Sequence, residues 1–146
     1  MTETVYDMVI LGAGSGGYAA ALRGAQLGLK VALIEADKLG GTCLHRGCVP
    51  TKALLHAAET ADAVREAATV GIKAAFEGVD MPGVQKYKNS IVSRMHKGLE
   101  GLVSSRGIDL IQGWGRLVAA DAVEVDGRRI TGRNVVLASG SYSKTI

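Results

Sequence analysis

The run Asp7-Met-Val-Ile-Leu11, then Gly12-Ala13-Gly14-Ser15-Gly16-Gly17, then an alanine-rich stretch to Gly28 decides the fold. Asp7 to Leu11 is short and mostly apolar and stops at a glycine, as a buried strand does. Gly14 to Gly28 reads as a helix, with Ala19, Leu22, Ala25 and Gln26 at helical intervals. Lys30 to Glu35 (KVALIE) is a second buried strand, closing on an acid. Strand, glycine turn, helix, strand is a βαβ unit, which imposes a parallel sheet and a right-handed crossover.

The glycines fit the spacing G-x-G-x-x-G, and they stand after a strand and at the opening of a helix. Gly12 permits the tight turn, Gly14 lets the main chain approach a pyrophosphate, and Gly17 lets helix and strand pack closely. A pyrophosphate there rests on the orphan N–H groups of the helix amino terminus, where the macrodipole favours negative charge. Ala21, one turn beyond Gly17, stays small for the same contact. Glu35 is placed to accept hydrogen bonds from an adenosine ribose, and its charge repels a 2′-phosphate. The candidate nucleotide contacts are therefore Gly12, Gly14, Ser15, Gly16, Gly17 and Glu35. The motif indicates a dinucleotide and does not distinguish FAD from NAD.

Working outward, Gly40-Gly41-Thr42 reads as a glycine-rich loop leading into a segment bounded by Cys43 and Cys48. Pro50 suits the first turn of a helix, where its missing N–H costs nothing. Ala53 to Thr69 continues with an apolar seam of Leu54, Ala57, Ala61, Val64 and Ala68. Gly71 to Gly83 reads as a connection. A second long helix, about Val84 to Arg106, carries Ile91, Met95, Leu99, Leu102 and Val103 on one face, and Gly107 closes it. From Ile108 the period changes to short strands: IDLIQG, GRLVA, AVEVDG, RRITG and NVVLAS. Asp126-Gly127 marks a hairpin. Val135 to Ala138 reads as another buried strand, and Trp114 as a packing residue.

Composition agrees with one α/β domain. The chain has 146 residues, 47% hydrophobic and 21% charged, which is enough apolar material for a core and argues against disorder. Glycine supplies 20 residues, about twice the usual share of ~7%, without a collagen period. Net charge is +3, but the 17 basic residues are scattered among 14 acids. The densest basic stretch, Lys86 to Lys97, has the helical spacing of a solvated face. With aromatics at 4%, base-stacking platforms are also disfavoured, so no nucleic-acid partner is expected. No apolar run reaches the ~18–20 residues needed to span a bilayer. Met1-Thr2-Glu3-Thr4 has neither a signal-peptide nor a transit-peptide pattern, so the expectation is a cytoplasmic protein without membrane partners.

The two cysteines stand together in Cys43-Leu44-His45-Arg46-Gly47-Cys48. In a chain otherwise free of cysteine, a close pair points to redox or metal chemistry rather than a stabilising bridge. Positions i and i+5 of a regular helix lie about 8–9 Å apart, beyond the roughly 4.4–6.8 Å a disulfide needs. A bridge therefore requires a distorted stretch, which Gly47 permits. Two ordinary buried thiols, or a zinc site from Cys43, His45 and Cys48 lacking a convincing fourth ligand, are the competing readings. Arg46, Lys52 and a helix amino terminus would all lower a thiol pKa. Cys48 and Lys52, four apart, share a helix face, which suits a thiolate and a cation lying against a flavin.

The sequence Leu39-Gly-Gly-Thr-Cys-Leu-His-Arg-Gly-Cys-Val-Pro-Thr-Lys52, preceded by the glycine fingerprint and Glu35, closely resembles the pyridine nucleotide–disulfide oxidoreductases. The continuation Ala53-Leu-Leu-His-Ala-Ala-Glu59 is most similar to their dihydrolipoamide dehydrogenase branch. The resemblance covers essentially the whole chain. It implies a Rossmann-like FAD-binding domain, a parallel sheet plus a small antiparallel β-meander, incomplete relative to the family.

It also implies roles. Cys43 is the interchange thiol that attacks lipoyl sulfur, and Cys48 the thiol in charge-transfer contact with FAD. Lys52 sits by the reacting flavin nitrogen, while Gly41, Thr42 and Gly115 touch the cofactor. Ala138-Ser139-Gly140 takes the place of the family's Ala-Thr-Gly, with serine keeping the hydroxyl. His45-Arg46 replaces the commoner Asn-Val. The implied reaction passes electrons from a protein-bound dihydrolipoyl group, on a lipoyl domain of a 2-oxo acid dehydrogenase complex, through the cysteines and FAD to NAD⁺. Mercuric or glutathione reductase chemistry, and a non-catalytic FAD-binding module, are the alternatives. The family's NAD domain and dimerisation domain have no counterpart here. The chain is thus expected to be the amino-terminal part of a homodimeric enzyme, inactive alone.

Overall fold

The computed structural model describes residues 5–145; the Met1–Thr4 stretch read for a leader and the terminal Ile146 lie outside them. Two compact units make up the chain: the described parts of Met1–Gly41 with His96–Ile146, and Thr42–Met95.

The first unit holds one six-stranded sheet of order β3-β2-β1-β6-β5-β4. Its strands are β1 (Val5–Leu11), β2 (Val31–Glu35), β3 (Asp109–Gln112), β4 (Gly115–Ala119), β5 (Ala122–Val125) and β6 (Arg128–Leu137). β3, β2, β1 and β6 pair in parallel, whereas β6, β5 and β4 form an antiparallel meander. This is the Rossmann-like sheet with meander that the sequence predicts. Val9, Ile10, Val31, Ala32, Leu33 and Ile34 are at most 1% exposed, as expected of central parallel strands covered on both faces.

Helix α1 (Ser15–Gln26) packs on the sheet through Gly17, Ala21 and Gly24. Of the four residues at helical intervals, Leu22 and Ala25 pack partly buried against the core, while Ala19 and Gln26 are exposed. The contact face is chosen by the smallest side chains, because they let the helix approach nearest: a Cβ on Gly24 would stand 3.1 Å from Val31 Cγ2. Asp126 and Gly127 both have positive φ, 50° and 77°, which a two-residue hairpin with the twist of its strands requires.

Other expectations at the carboxyl half need revision. RRITG and NVVLAS form one strand, β6, rather than two. Gly132 is not a break; it lets β6 pass close to β1, since a Cβ there would meet Val9 Cγ2 at 2.7 Å. Val135 and Val136 are half-buried and Leu137 is 60% exposed, so this strand is central by hydrogen bonding but not enclosed. Trp114 does not pack: it is 79% exposed. Side chains alternate across a strand, and here Gly113 and Gly115 take the inward positions against Val125 and Leu11.

The second unit contains the Cys43–Cys48 segment, α3 (Cys48–Glu66), a 3-10 turn at Ala67–Val70, and the first part of α4 (Met81–Ser105). The segment expected as a loop is a one-turn helix, α2 (Gly41–His45). The seam of Leu54, Ala57, Ala61, Val64 and Ala68 is half-buried to exposed, with Leu54 at 37%. The His56 ring lies 6.2 Å from that of Tyr87, and Arg65 stacks 4.1 Å above Phe76. Further along α4, Val103 is buried and Leu99 joins the core cluster of the first unit, while Met95 and Leu102 stay exposed. Among the described residues no helix is long and apolar enough to cross a membrane.

Candidate functional site

The first unit gathers its candidate residues where β1, β2 and β6 end. The turn after β1 is held by Gly12 N–H donating to the Ile34 carbonyl at 2.8 Å. Gly12 has φ +102°, and a side chain there would overlap the Ala138 carbonyl. The Ala138 N–H donates to Leu11 O at 2.8 Å, so the Ala138-Ser139 peptide lies directly against the first fingerprint glycine. Gly17 is required by a tighter contact still, as its Cβ would overlap the Gly12 carbonyl. Gly41, at φ +60°, brings its backbone against Gly14, where a Cβ would stand 2.7 Å from the Gly14 Cα.

The amino terminus of α1 is open to an anion. Its N-cap is Gly14 with no side-chain cap, and no acid stands in its first turn. Ser15 and Gly16 are exposed, and nothing lies within 4 Å of a Cβ placed on Gly16. The first N–H groups of a helix have no intrahelical partner, so this end combines free donors with a favourable dipole. Glu35 closes the other side. Its Oε2 accepts from Ala13 N–H at 2.8 Å and its Oε1 from Asp37 N–H at 2.9 Å. Each oxygen keeps a lone pair for a further donor. Gly115 packs over the same strand ends, where a Cβ would meet Leu11 Cδ1 at 2.5 Å and Ile34 Cγ2 at 3.0 Å. Gly140 follows with φ +76°.

In the second unit, Thr42 and Cys43 lie on α2, and Cys48 and Lys52 on α3. α2 ends with Arg46 N–H donating to Thr42 O at 2.8 Å, and α3 restarts at Cys48 behind Gly47. The cysteines therefore flank a break between two helices, the distortion that a pairing at i, i+5 demands. Gly47 packs closely against α2: a Cβ there would stand 3.2 Å from the Thr42 carbonyl oxygen. Cys43 is half-buried, Cys48 is exposed, and both are free thiols.

The two thiols interact. A hydrogen bond donated by the Cys43 thiol to the Cys48 sulfur pushes the Cys43 pKa above the ordinary thiol value, with desolvation and the Cys48 charge acting in the same direction. The Cys48 backbone N–H and the Lys52 ammonium oppose this and do not win. Lys52 does lower the Cys43 pKa as expected, but the partner thiol and desolvation outweigh it, so the net shift is upward rather than toward the thiolate. Among the described residues no group of three or more His, Cys, Asp or Glu side chains comes together to hold a metal ion.

A helix terminus bared for an anion, a carboxylate at the end of the next strand, and a thiol pair across a helix break together narrow the choice of family. The family model for pyridine nucleotide-disulphide oxidoreductases matches residues 6–146. The chain belongs to this family.

Among similar pyridine nucleotide-disulphide oxidoreductases, the dihydrolipoyl dehydrogenase of Bacillus subtilis is 48% identical over 115 residues, covering 79% of this chain and 24% of that protein. The dihydrolipoyl dehydrogenase of Thermus scotoductus is 41% identical over 136 residues, covering 93% of this chain and 29% of its own length. That of Acholeplasma laidlawii is 36% identical, with 93% and 41% covered. The chain thus spans between about a quarter and two fifths of the curated relatives named here. Sequence reading overlooked Ala13 and Asp37, whose backbone N–H groups orient Glu35. A main-chain donor leaves no trace in residue identity.

Proposed function

We propose that this chain is the FAD-binding, dithiol-bearing part of a dihydrolipoyl dehydrogenase, acting with NAD⁺ on lipoyl domains of 2-oxo acid dehydrogenase complexes, in a cytoplasmic homodimer whose NAD and dimerisation domains lie beyond these residues. The observation that carries this reading is the pair of free thiols, Cys43 and Cys48, on either side of a helix break. The names of the relatives support the choice of substrate.

The first unit suits an adenine dinucleotide. Ser15, Gly16 and Gly17 offer N–H groups to a pyrophosphate, Glu35 offers acceptors to the ribose, and the Ala138–Gly140 turn and Gly115 stand at the same strand ends. FAD, when bound, would supply two-electron acceptor chemistry between the thiols and NAD⁺. The work of the cysteines is thiol–disulfide exchange. With Cys43 and Cys48 joined as a disulfide, one substrate thiolate attacks the Cys43 sulfur and Cys48 leaves as a thiolate. The second substrate thiolate then displaces Cys43, releasing the lipoyl disulfide and leaving two reduced cysteines. Lys52 offsets the thiolate charge.

In the protein carrying this chain, Cys43→Ser should abolish dihydrolipoamide oxidation and leave flavin bound, read from turnover and the visible spectrum. Normal turnover in that variant overturns the mechanism.

A further inference from the structure

We propose that Gln112 is a positioning residue for nucleotide recognition: its side-chain amide fixes the loop that orients the Glu35 carboxylate. This rests on the reading of Glu35 as the ribose acceptor.

The argument begins with the sheet. Glu35 is the last residue of β2, and its register partner on the parallel strand β3 is Gln112. The ladder continues one step further, with Gly113 N–H donating to the Glu35 carbonyl at 2.8 Å. Register partners project to the same face, so the Gln112 amide reaches the turn that Glu35 enters. Its Nε2 donates to the Asp37 carbonyl at 2.9 Å, across 75 positions of sequence. The N–H of that same Asp37 donates to Glu35 Oε1, while Ala13 N–H donates to Oε2. The Glu35 carboxylate is thus clamped at both oxygens, once by the glycine turn and once by a loop residue.

The two clamps differ in rigidity. Ala13 is buried, and its carbonyl also accepts from Gly40 N–H at 2.9 Å. Ala36 and Asp37 are exposed. Loops of that kind open easily unless they are tied to a rigid element. Gln112, at the end of a strand, provides such a tie. Without it the Asp37 peptide is freer to rotate, Oε1 loses its donor, and the carboxylate turns about the bond that should present it to a ribose hydroxyl.

The experiment measures ADP and 2′-deoxy-ADP binding to the FAD-free protein by calorimetry, for the unaltered protein, Gln112→Met, Gln112→Lys and Glu35→Gln. A hydrogen bond to a charged acceptor is worth roughly tenfold or more in affinity, so the unaltered protein should prefer ADP by about that factor. Gln112→Met keeps length without a donor and should lower the preference at least threefold. Gln112→Lys restores a donor and should recover it. A purely structural role would weaken both nucleotides equally and leave their ratio unchanged. A ratio unchanged in Gln112→Met, with Glu35→Gln still losing it, overturns the proposal and leaves the ribose reading intact. No preference in the unaltered protein overturns both.

Discussion

Cys43 is half-buried and feels both the neighbouring Cys48 thiol and the Lys52 charge, and the thiol dominates. It holds the proton on Cys43, so the thiolate forms at higher pH than in an isolated cysteine. Alkylation of reduced Cys43, followed by mass spectrometry across pH, should therefore show a midpoint above that of a free thiol. Cys48→Ala removes both the hydrogen bond and the like charge, and should move the midpoint down. An unchanged midpoint in that variant would exclude the thiol–thiol contact as the cause. The same scale shows how far residue identity can be read. Gly12, Gly17 and Gly41 are legible because only glycine tolerates their close backbone contacts. The balance between Cys48 and Lys52 is not legible, because it depends on how both side chains are placed about the Cys43 sulfur.

At the scale of elements, β1 and β3 do not pair with one another; β2 lies between them. Tyr6 on β1 nevertheless donates its hydroxyl to Asp109 Oδ2 on β3 at 2.9 Å, and Lys30 lies 5.3 Å from its ring centroid. Burial, the bond to Asp109 and the Asp109 charge raise the Tyr6 pKa. A raised acid favours folding while it keeps its proton. This contribution is fully present below the unfolded-state value near ~10 and is lost as pH rises through the higher folded value. Tyr6→Phe should cost about 1–2 kcal/mol at pH 8, measured as a shift of the urea midpoint. The gap between the two proteins should narrow above about pH 10; a gap constant to pH 11 would contradict the assignment. Element types were readable from periodicity here, but partners were not. Nothing between Gly132 and Arg133 signals one continuous β6, and the helical turn Gly41–His45 is too short to leave a period.

At the scale of the molecule, the candidate nucleotide contacts Gly12 to Gly17 and Glu35 belong to one unit, and Thr42, Cys43, Cys48 and Lys52 to the other. Because the chain spans only 24–41% of the named relatives, the 146 residues by themselves should exchange thiols with an aromatic disulfide. They should show no NAD⁺-dependent oxidation of dihydrolipoamide; turnover by this chain alone would overturn that division of labour. The sequence by itself determined the βαβ unit, the glycine turn and the hairpin at Asp126-Gly127. Each of these rests on a local constraint: a period or a positive φ. Only the tertiary structure decided that α1 packs through Gly17, Ala21 and Gly24, that Trp114 faces solvent, and that the Gln112 amide donates to the Asp37 carbonyl. Those outcomes depend on residues far apart in the chain arriving within a few ångströms, and contacts at that range are set by the packing of whole elements.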